Sequence, residues 1–202
     1  MSAYRDFTSD FPSRCLDILD RQMGWAKFQG RDVTLLLMVA STAFLVPYER
    51  LRPDSNRSPH PSGDNERFAA LAKCLKDLMA ERFCGSSLCP DRENSWKVAK
   101  DVSRVDGDLD GWFPRQSLKP VSKHKAVSSM LVLIRNALAH GNVFTTGNPI
   151  ETLIFVQRRG SAEGLTSKFE VLSVSPEDFG HFIREWVAFL RESQIPKLYL
   201  VA

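Results

Sequence analysis

The chain of 202 residues predicts a mainly α-helical bundle with a β-hairpin inserted before the C-terminal helix. Several stretches repeat apolar residues at three- and four-residue steps, the spacing of a buried helix face. Residues 152–157 and 168–174 are instead rich in β-branched and aromatic side chains, which favour strands. A Ser-Pro-Glu-Asp sequence follows and is typical of a helix start. These three observations set the fold class.

The first part of the chain predicts three helices. The first is expected at about Asp10–Met23 and the second at Asp32–Arg52. The apolar run of the second helix is about 14 residues, short of the ~20 that span a bilayer, so we expect a buried bundle helix and no membrane. Residues 53–63 are rich in Pro and Ser and predict a loop. A third helix is expected around residues 68–79.

The second part of the chain begins with an irregular stretch. A short helix is expected at about Asn94–Asp101, and the acidic residues of 106–110 indicate a turn. An amphipathic helix then runs from about Lys125 to His140. The β-hairpin should occupy 150–174, and the last helix should follow it. We find no linker that would divide the chain, so we expect a single domain over residues 1–202.

The end of the amphipathic helix carries the polar cluster that suggests a function. Its sequence is Arg-Asn-Ala-Leu-Ala-His, at positions 135 to 140, followed by Gly141 as a left-handed helix stop. Asn136 and His140 are four residues apart and share a helix face. Arg135 points about 100° away from Asn136, so its long side chain must turn back to join them.

These residue types suit cleavage of RNA. Arginine stays charged and can neutralise a phosphate, whereas histidine takes and returns a proton near neutral pH. We therefore expect Arg135, Asn136 and His140 to form the catalytic site of a metal-independent ribonuclease. In the expected transesterification, a ribose 2′-OH attacks the adjacent phosphate and leaves a 2′,3′-cyclic phosphate and a 5′-OH. DNA lacks that hydroxyl.

The charge distribution agrees with a polyanionic partner. The net charge is only +3, but no Asp or Glu occurs from Gly111 to Ile150. Lys123, His124 and Lys125 lie in this window and are the expected RNA-binding residues. The alternative is a solvated surface whose acidic partners come from elsewhere in the fold.

The string RNALAHGN resembles the Arg-x4-His signature of the HEPN superfamily. The resemblance implies a helical bundle, frequently dimeric, that often acts as an RNA endonuclease in toxin, antiphage or abortive-infection roles. It implies that Arg135 stabilises the scissile phosphate, that Asn136 orients it or the histidine, and that His140 is the general base or acid. An antitoxin or regulatory protein is a further implied partner. Some family toxins carry a modified Tyr where this chain has Asn142, which puts that mode of regulation in doubt.

Two alternatives to an active nuclease remain open. The first is a catalytically silent module of the same type that binds RNA, a nucleotide or a protein. In the second, the motif is structural, with Arg135 and Asn136 capping or bridging helices and His140 bonded to the last carbonyls of its own helix.

No cofactor or metal is expected. The sequence has four cysteines, of which Cys84 and Cys89 flank Gly-Ser-Ser, but their spacing is a poor match to a zinc site. The N-terminus lacks an apolar leader, so reduced thiols and a cytoplasmic location are expected.

Overall fold

The computed structural model describes residues 7–52, 66–89, 95–103, 118–159 and 168–193. Helix predominates in these residues, in agreement with the mainly α prediction, and an antiparallel sheet accompanies it. The helices are α1 (Phe7–Phe28), α2 (Asp32–Ala43), α3 (Leu45–Leu51), α4 (Glu66–Ala80), α5 (Val127–Ala139) and α6 (Pro176–Glu192). The strands are β1 (Lys97–Ser103), β2 (Lys119–Pro120), β3 (Val143–Thr146), β4 (Thr152–Arg159) and β5 (Lys168–Val174). The predicted loop at 53–63 and turn at 106–110 lie outside the described residues.

The chain divides into two compact units. One comprises Met1–Glu81 and Phe182–Ala202, and the other comprises Arg82–His181. Helices α1 to α4 and most of α6 belong to the first unit, whereas α5, the sheet and the start of α6 belong to the second. The single domain over residues 1–202 stays a prediction.

The first unit contains a break that the sequence analysis did not predict. A single helix was expected over Asp32–Arg52, but α2 and α3 are separated at Phe44. Pro47 explains the break, since it has no N–H to bond the carbonyl oxygen of Ala43, four residues earlier. That oxygen instead accepts a hydrogen bond of 3.1 Å from Nε1 of Trp186 on α6. The ring centroids of Phe44 and Trp186 are 5.1 Å apart, so aromatic packing stabilises the chain at the break.

The stretch Asp32–Leu51 is long and apolar enough to cross a membrane by length and composition. Core helices of soluble proteins meet the same criterion, and 44% of the most apolar part of this stretch is buried within the protein. Its role as a buried bundle helix without a membrane therefore stays a prediction.

The sheet of the second unit has the strand order β2-β1-β5-β4-β3, with antiparallel pairing throughout. The two strands predicted for the hairpin lie in β4 and β5, which pair with Phe155 opposite Leu172. They form the middle of a five-stranded sheet rather than a separate insertion. One prediction is wrong: the short helix expected at about Asn94–Asp101 does not form over residues 97–101, which belong to β1. Pairing with β5 decides this, because β5 would otherwise leave one row of backbone N–H and C=O groups unpaired.

The predicted start of the last helix is confirmed. Oγ of Ser175 accepts a hydrogen bond of 3.1 Å from the backbone N–H of Asp178 and donates one of 2.6 Å to Oδ2 of the same residue. Pro176 is the first helical residue. The serine thus caps the backbone N–H of Asp178 at the start of α6, as the local sequence predicted.

Candidate functional site

Helix α5 carries the predicted site, and its packing decides which side chains face outward. Its apolar stripe packs on β4 and β5, with Met130, Ile134 and Ala137 fully buried. The other side of the helix carries half-buried Arg135 and Asn136. Because the helix repeats every 3.6 residues, burial of the apolar stripe turns the polar pair towards the surface.

The end of α5 is shaped by Gly141. This residue has φ +67°, a conformation that glycine adopts without steric cost. Its N–H donates to the carbonyl of Leu138 at 3.3 Å, and the N–H of Asn142 donates to the carbonyl of Ala137 at 2.8 Å. The two bonds form a Schellman motif. The predicted stop is therefore confirmed, and the helix ends with His140 as its exposed C-cap residue.

The turn after α5 is also tied to the sheet. The carbonyl of Asn142 accepts a hydrogen bond of 3.0 Å from the N–H of Val156 in β4, and β3 begins at the next residue, Val143. The backbone on the C-terminal side of His140 is thus anchored, which limits the positions that this exposed imidazole can reach.

The side chain of Arg135 turns back towards Asn136. Nη1 of Arg135 donates a hydrogen bond of 2.7 Å to Oδ1 of Asn136. Asn136 is in turn one helical turn before His140, whose backbone N–H donates to its carbonyl at 3.1 Å. The guanidinium is therefore directed to the helix face that Asn136 shares with His140. The sequence left this orientation open.

The three predicted RNA-binding residues lie in different environments. Lys123 and His124 form an exposed turn before α5. Lys125 is largely buried, and its Nζ lies 2.6 Å from Oε1 of Glu170 on β5. The charge of Lys125 is thus neutralised by an acid from outside the acid-free window, as the alternative explanation of that window allowed.

The basic turn and the motif lie at opposite ends of α5. The helix has 13 residues and, at a rise of about 1.5 Å per residue, is about 20 Å long. Within one chain, Lys123 and His124 therefore cannot contact the phosphate that Arg135 and His140 would hold. They could contact only a more distant part of a bound strand.

Glu170 is the residue at this site that the sequence analysis missed. It is a lone acid within the strand sequence KFEVLSV, and it is 8% exposed. A charged residue in an apolar strand is a signal in itself, because buried carboxylates need a partner. The sequence does not reveal that this partner is Lys125.

The motif offers a cation, an amide and an imidazole group. Among the described residues, no group of three or more His, Cys, Asp or Glu side chains is placed to hold a metal ion. Cys84 and Cys89 are buried free thiols.

Comparison with known proteins identifies one family. The family model described as HEPN pEK499 p136 matches residues 1–197, nearly the whole chain. A search of curated proteins and a search of solved structures gave no match.

Proposed function

The chain belongs to the HEPN pEK499 p136 family, and from this membership we propose that it is a metal-independent RNA endonuclease. The family indicates a nuclease or nucleotide-binding role in general. The proposal assigns the scissile phosphate to Arg135, the orientation of the Arg135 guanidinium to Asn136 and the proton transfers to His140.

The hydrogen bond from Arg135 to Asn136 is the observation that carries this proposal. It turns the guanidinium onto the face of His140, so that a cation and an imidazole can approach one phosphate. A preorganised cation stabilises the charge that develops on the phosphate in the transition state. Because the cation is already in position, no free energy is lost in reorienting it during the reaction.

The proposed reaction is transesterification. His140 takes the proton of a ribose 2′-OH while that oxygen attacks the adjacent phosphorus. The bond from phosphorus to the 5′-oxygen breaks, and the leaving oxygen receives a proton to become a 5′-OH. The other product is a 2′,3′-cyclic phosphate. Arg135 neutralises the non-bridging oxygens throughout, because its guanidinium keeps its charge.

A symmetric homodimer would supply a second histidine for the leaving oxygen. In an isologous dimer, the same surface of both subunits forms the interface. A motif close to the two-fold axis then lies beside its own copy in the partner. Arg135 of one subunit could then act beside His140 of the other. We therefore include a homodimer in the proposal; sedimentation of the active species as a monomer with full activity would remove it.

The test is cleavage of 5′-labelled single-stranded RNA and tRNA in EDTA, with the product ends identified. Wild-type protein should release 2′,3′-cyclic phosphates, whereas His140→Ala and Arg135→Ala should lose at least about 100-fold in rate. His181→Ala and Arg191→Ala are the matched controls, because both side chains are exposed on α6 and outside the motif. The controls should cleave as wild type does.

Three outcomes would contradict the proposal. Cleavage of a matched DNA strand would exclude attack by a 2′-OH. Activity that survives both motif substitutions would move the site elsewhere. RNA binding without cleavage by the wild type would favour the silent binding module instead.

The biological role that we propose is a cytoplasmic toxin or antiphage effector, held inactive by an antitoxin or regulatory protein. Induced expression should then arrest growth with the wild type and spare it with His140→Ala at equal protein level. Equal arrest by both proteins would contradict the proposed toxin role.

A further inference from the structure

A cavity of about 310 Å³ opens on the sheet of the second unit, apart from the α5 motif. The residues that line it are Lys97, Leu118, Thr146, Gly147, Glu151, Thr152, Ile154 and Ser173. None of them belongs to α5. Its volume is at the lower end of small-molecule sites, which indicates a compact ligand rather than a polymer.

The register of the sheet explains why these side chains meet. Lys97 on β1 is opposite Ser173 on β5, and Ser173 is opposite Ile154 on β4. Residues directly opposite one another point to the same face of a sheet. The neighbouring residue of Ile154, Phe155, points to the other face, where its ring contacts Phe179 of α6. The cavity is therefore on the face away from that helix.

Ser173 adds a hydroxyl group to the lining of the cavity. The residue is 6% exposed and lies on β5 between Lys97 and Ile154. A hydroxyl group can both donate and accept a hydrogen bond. It can therefore bond either a donor or an acceptor of a ligand in the cavity.

Two opposite charges stand at the exposed edge of the cavity. Lys97 and Glu151 are both exposed, and neither forms an ion pair with another described residue. Lys97 is two strands away from β4, about 10 Å across the sheet, and Glu151 is three residues before Ile154, about 10 Å along it. Their long side chains can thus approach a small ligand from two sides without neutralising each other.

The turn between β3 and β4 holds Glu151 in place. The N–H of Glu151 donates a hydrogen bond of 2.9 Å to the carbonyl of Thr146. Gly147 has φ +94°, and a Cβ there would lie 2.7 Å from the carbonyl oxygen of Pro149. Only glycine fits this turn, so the wall of the cavity that carries Thr146 and Glu151 is tightly constrained.

We propose that this cavity binds a free α-amino acid. Glu151 would receive its ammonium group, Lys97 its carboxylate and Ser173 a hydrogen bond, while Ile154 and Leu118 contact an apolar part. The paired opposite charges favour a dipolar ligand of no net charge. They disfavour a phosphate or an RNA strand, because Glu151 would repel it.

The test is two-dimensional NMR of the ¹⁵N-labelled full chain with each proteinogenic amino acid at about 10 mM, which detects millimolar dissociation constants. At least one amino acid should shift the amide signals of Gly147 and Ser173 in a saturable way. Its N-acetyl derivative, which lacks the ammonium group, and its amide, which lacks the carboxylate, should bind at least about tenfold more weakly.

Substitutions then test whether the two charged side chains bind the ligand. Lys97→Gln and Glu151→Gln should each weaken binding by about tenfold or more. Lys119→Gln and Glu177→Gln remove similar exposed charges outside the cavity and should leave binding unchanged. His140→Ala should also bind as wild type, since this site is independent of the proposed nuclease site.

The proposal is overturned if no amino acid shifts these signals. It is also overturned if the blocked derivatives bind as well as the free amino acid, or if the control variants lose as much affinity as Lys97→Gln and Glu151→Gln. Failure of the RNA cleavage assay has no bearing on these outcomes.

Discussion

Nζ of Lys125 lies 2.6 Å from Oε1 of Glu170, and the two side chains are 13% and 11% exposed. This pair joins the residues just before α5 to the central strand β5, 45 positions later in the chain. The same segment is held at its backbone, because the carbonyl of Lys125 accepts a hydrogen bond of 2.8 Å from the N–H of Phe83. The pair therefore helps to place the start of the helix that bears the motif.

Removal of one member of this pair should destabilise the fold. Glu170→Ala leaves a largely buried ammonium group without its carboxylate, which costs roughly 3 kcal/mol in the free energy of unfolding. The double variant Lys125→Met with Glu170→Leu should lose much less, because both charges are removed together. Urea denaturation monitored by circular dichroism measures both. Equal losses for the single and double variants would show that packing, and not charge, matters here.

The salt dependence of RNA binding should separate the two lysines. Lys123→Ala should lower the slope of log affinity against log salt by about one, as expected when one phosphate contact is lost. The double variant Lys125→Met with Glu170→Leu should leave the slope unchanged, because that lysine is already neutralised. A reduced slope for the double variant alone would mean that Lys125, and not Lys123, contacts RNA.

Asn136 should act through Arg135. Asn136→Ala removes the acceptor that turns the guanidinium, so cleavage should fall by about tenfold or more, the value of a hydrogen bond to a charged group. In the Arg135→Ala background the same substitution should have little further effect. Single-turnover rates for the two single variants and the double variant measure this coupling. Additive losses would give Asn136 a separate role.

The glycine after α5 should be needed for stability as well as for the position of His140. Gly141→Ala forces a Cβ into a left-handed conformation, which costs about 1–2 kcal/mol. The matched control is Gly24→Ala within α1, where an added Cβ meets nothing within 4 Å. That substitution should stabilise the protein by up to about 1 kcal/mol. Thermal unfolding of both variants should give shifts of opposite sign.

The break between α2 and α3 should depend on Trp186. Trp186→Phe keeps an aromatic ring but removes the N–H that bonds the carbonyl of Ala43, at a cost of about 1–3 kcal/mol. Trp25 is 57% exposed, and Trp25→Phe should change the free energy of unfolding by less than about 0.5 kcal/mol. Chemical denaturation of the two variants tests the difference, and similar values would remove the assigned role of the indole hydrogen bond.

The sequence by itself determined the features that depend on near neighbours. The amphipathic stripe of α5, its end at Gly141 and the cap of Ser175 on α6 all rest on residues within about five positions of one another. The spacing that puts Asn136 and His140 on one helix face is of the same kind. Such interactions form wherever these residues occur in a helix, so their pattern can be read along the chain.

Only the tertiary structure decided the features that join distant segments. Residues 97–101 were expected to be helical but lie in β1, because β5 supplies hydrogen-bond partners for this segment. The ion pair of Lys125 with Glu170 depends on packing that no local pattern specifies. The same holds for the hydrogen bond from Trp186 to the carbonyl of Ala43, which Pro47 cannot bond. The direction of Arg135 was likewise open, because a long side chain has several rotamers and the three-dimensional surroundings select one.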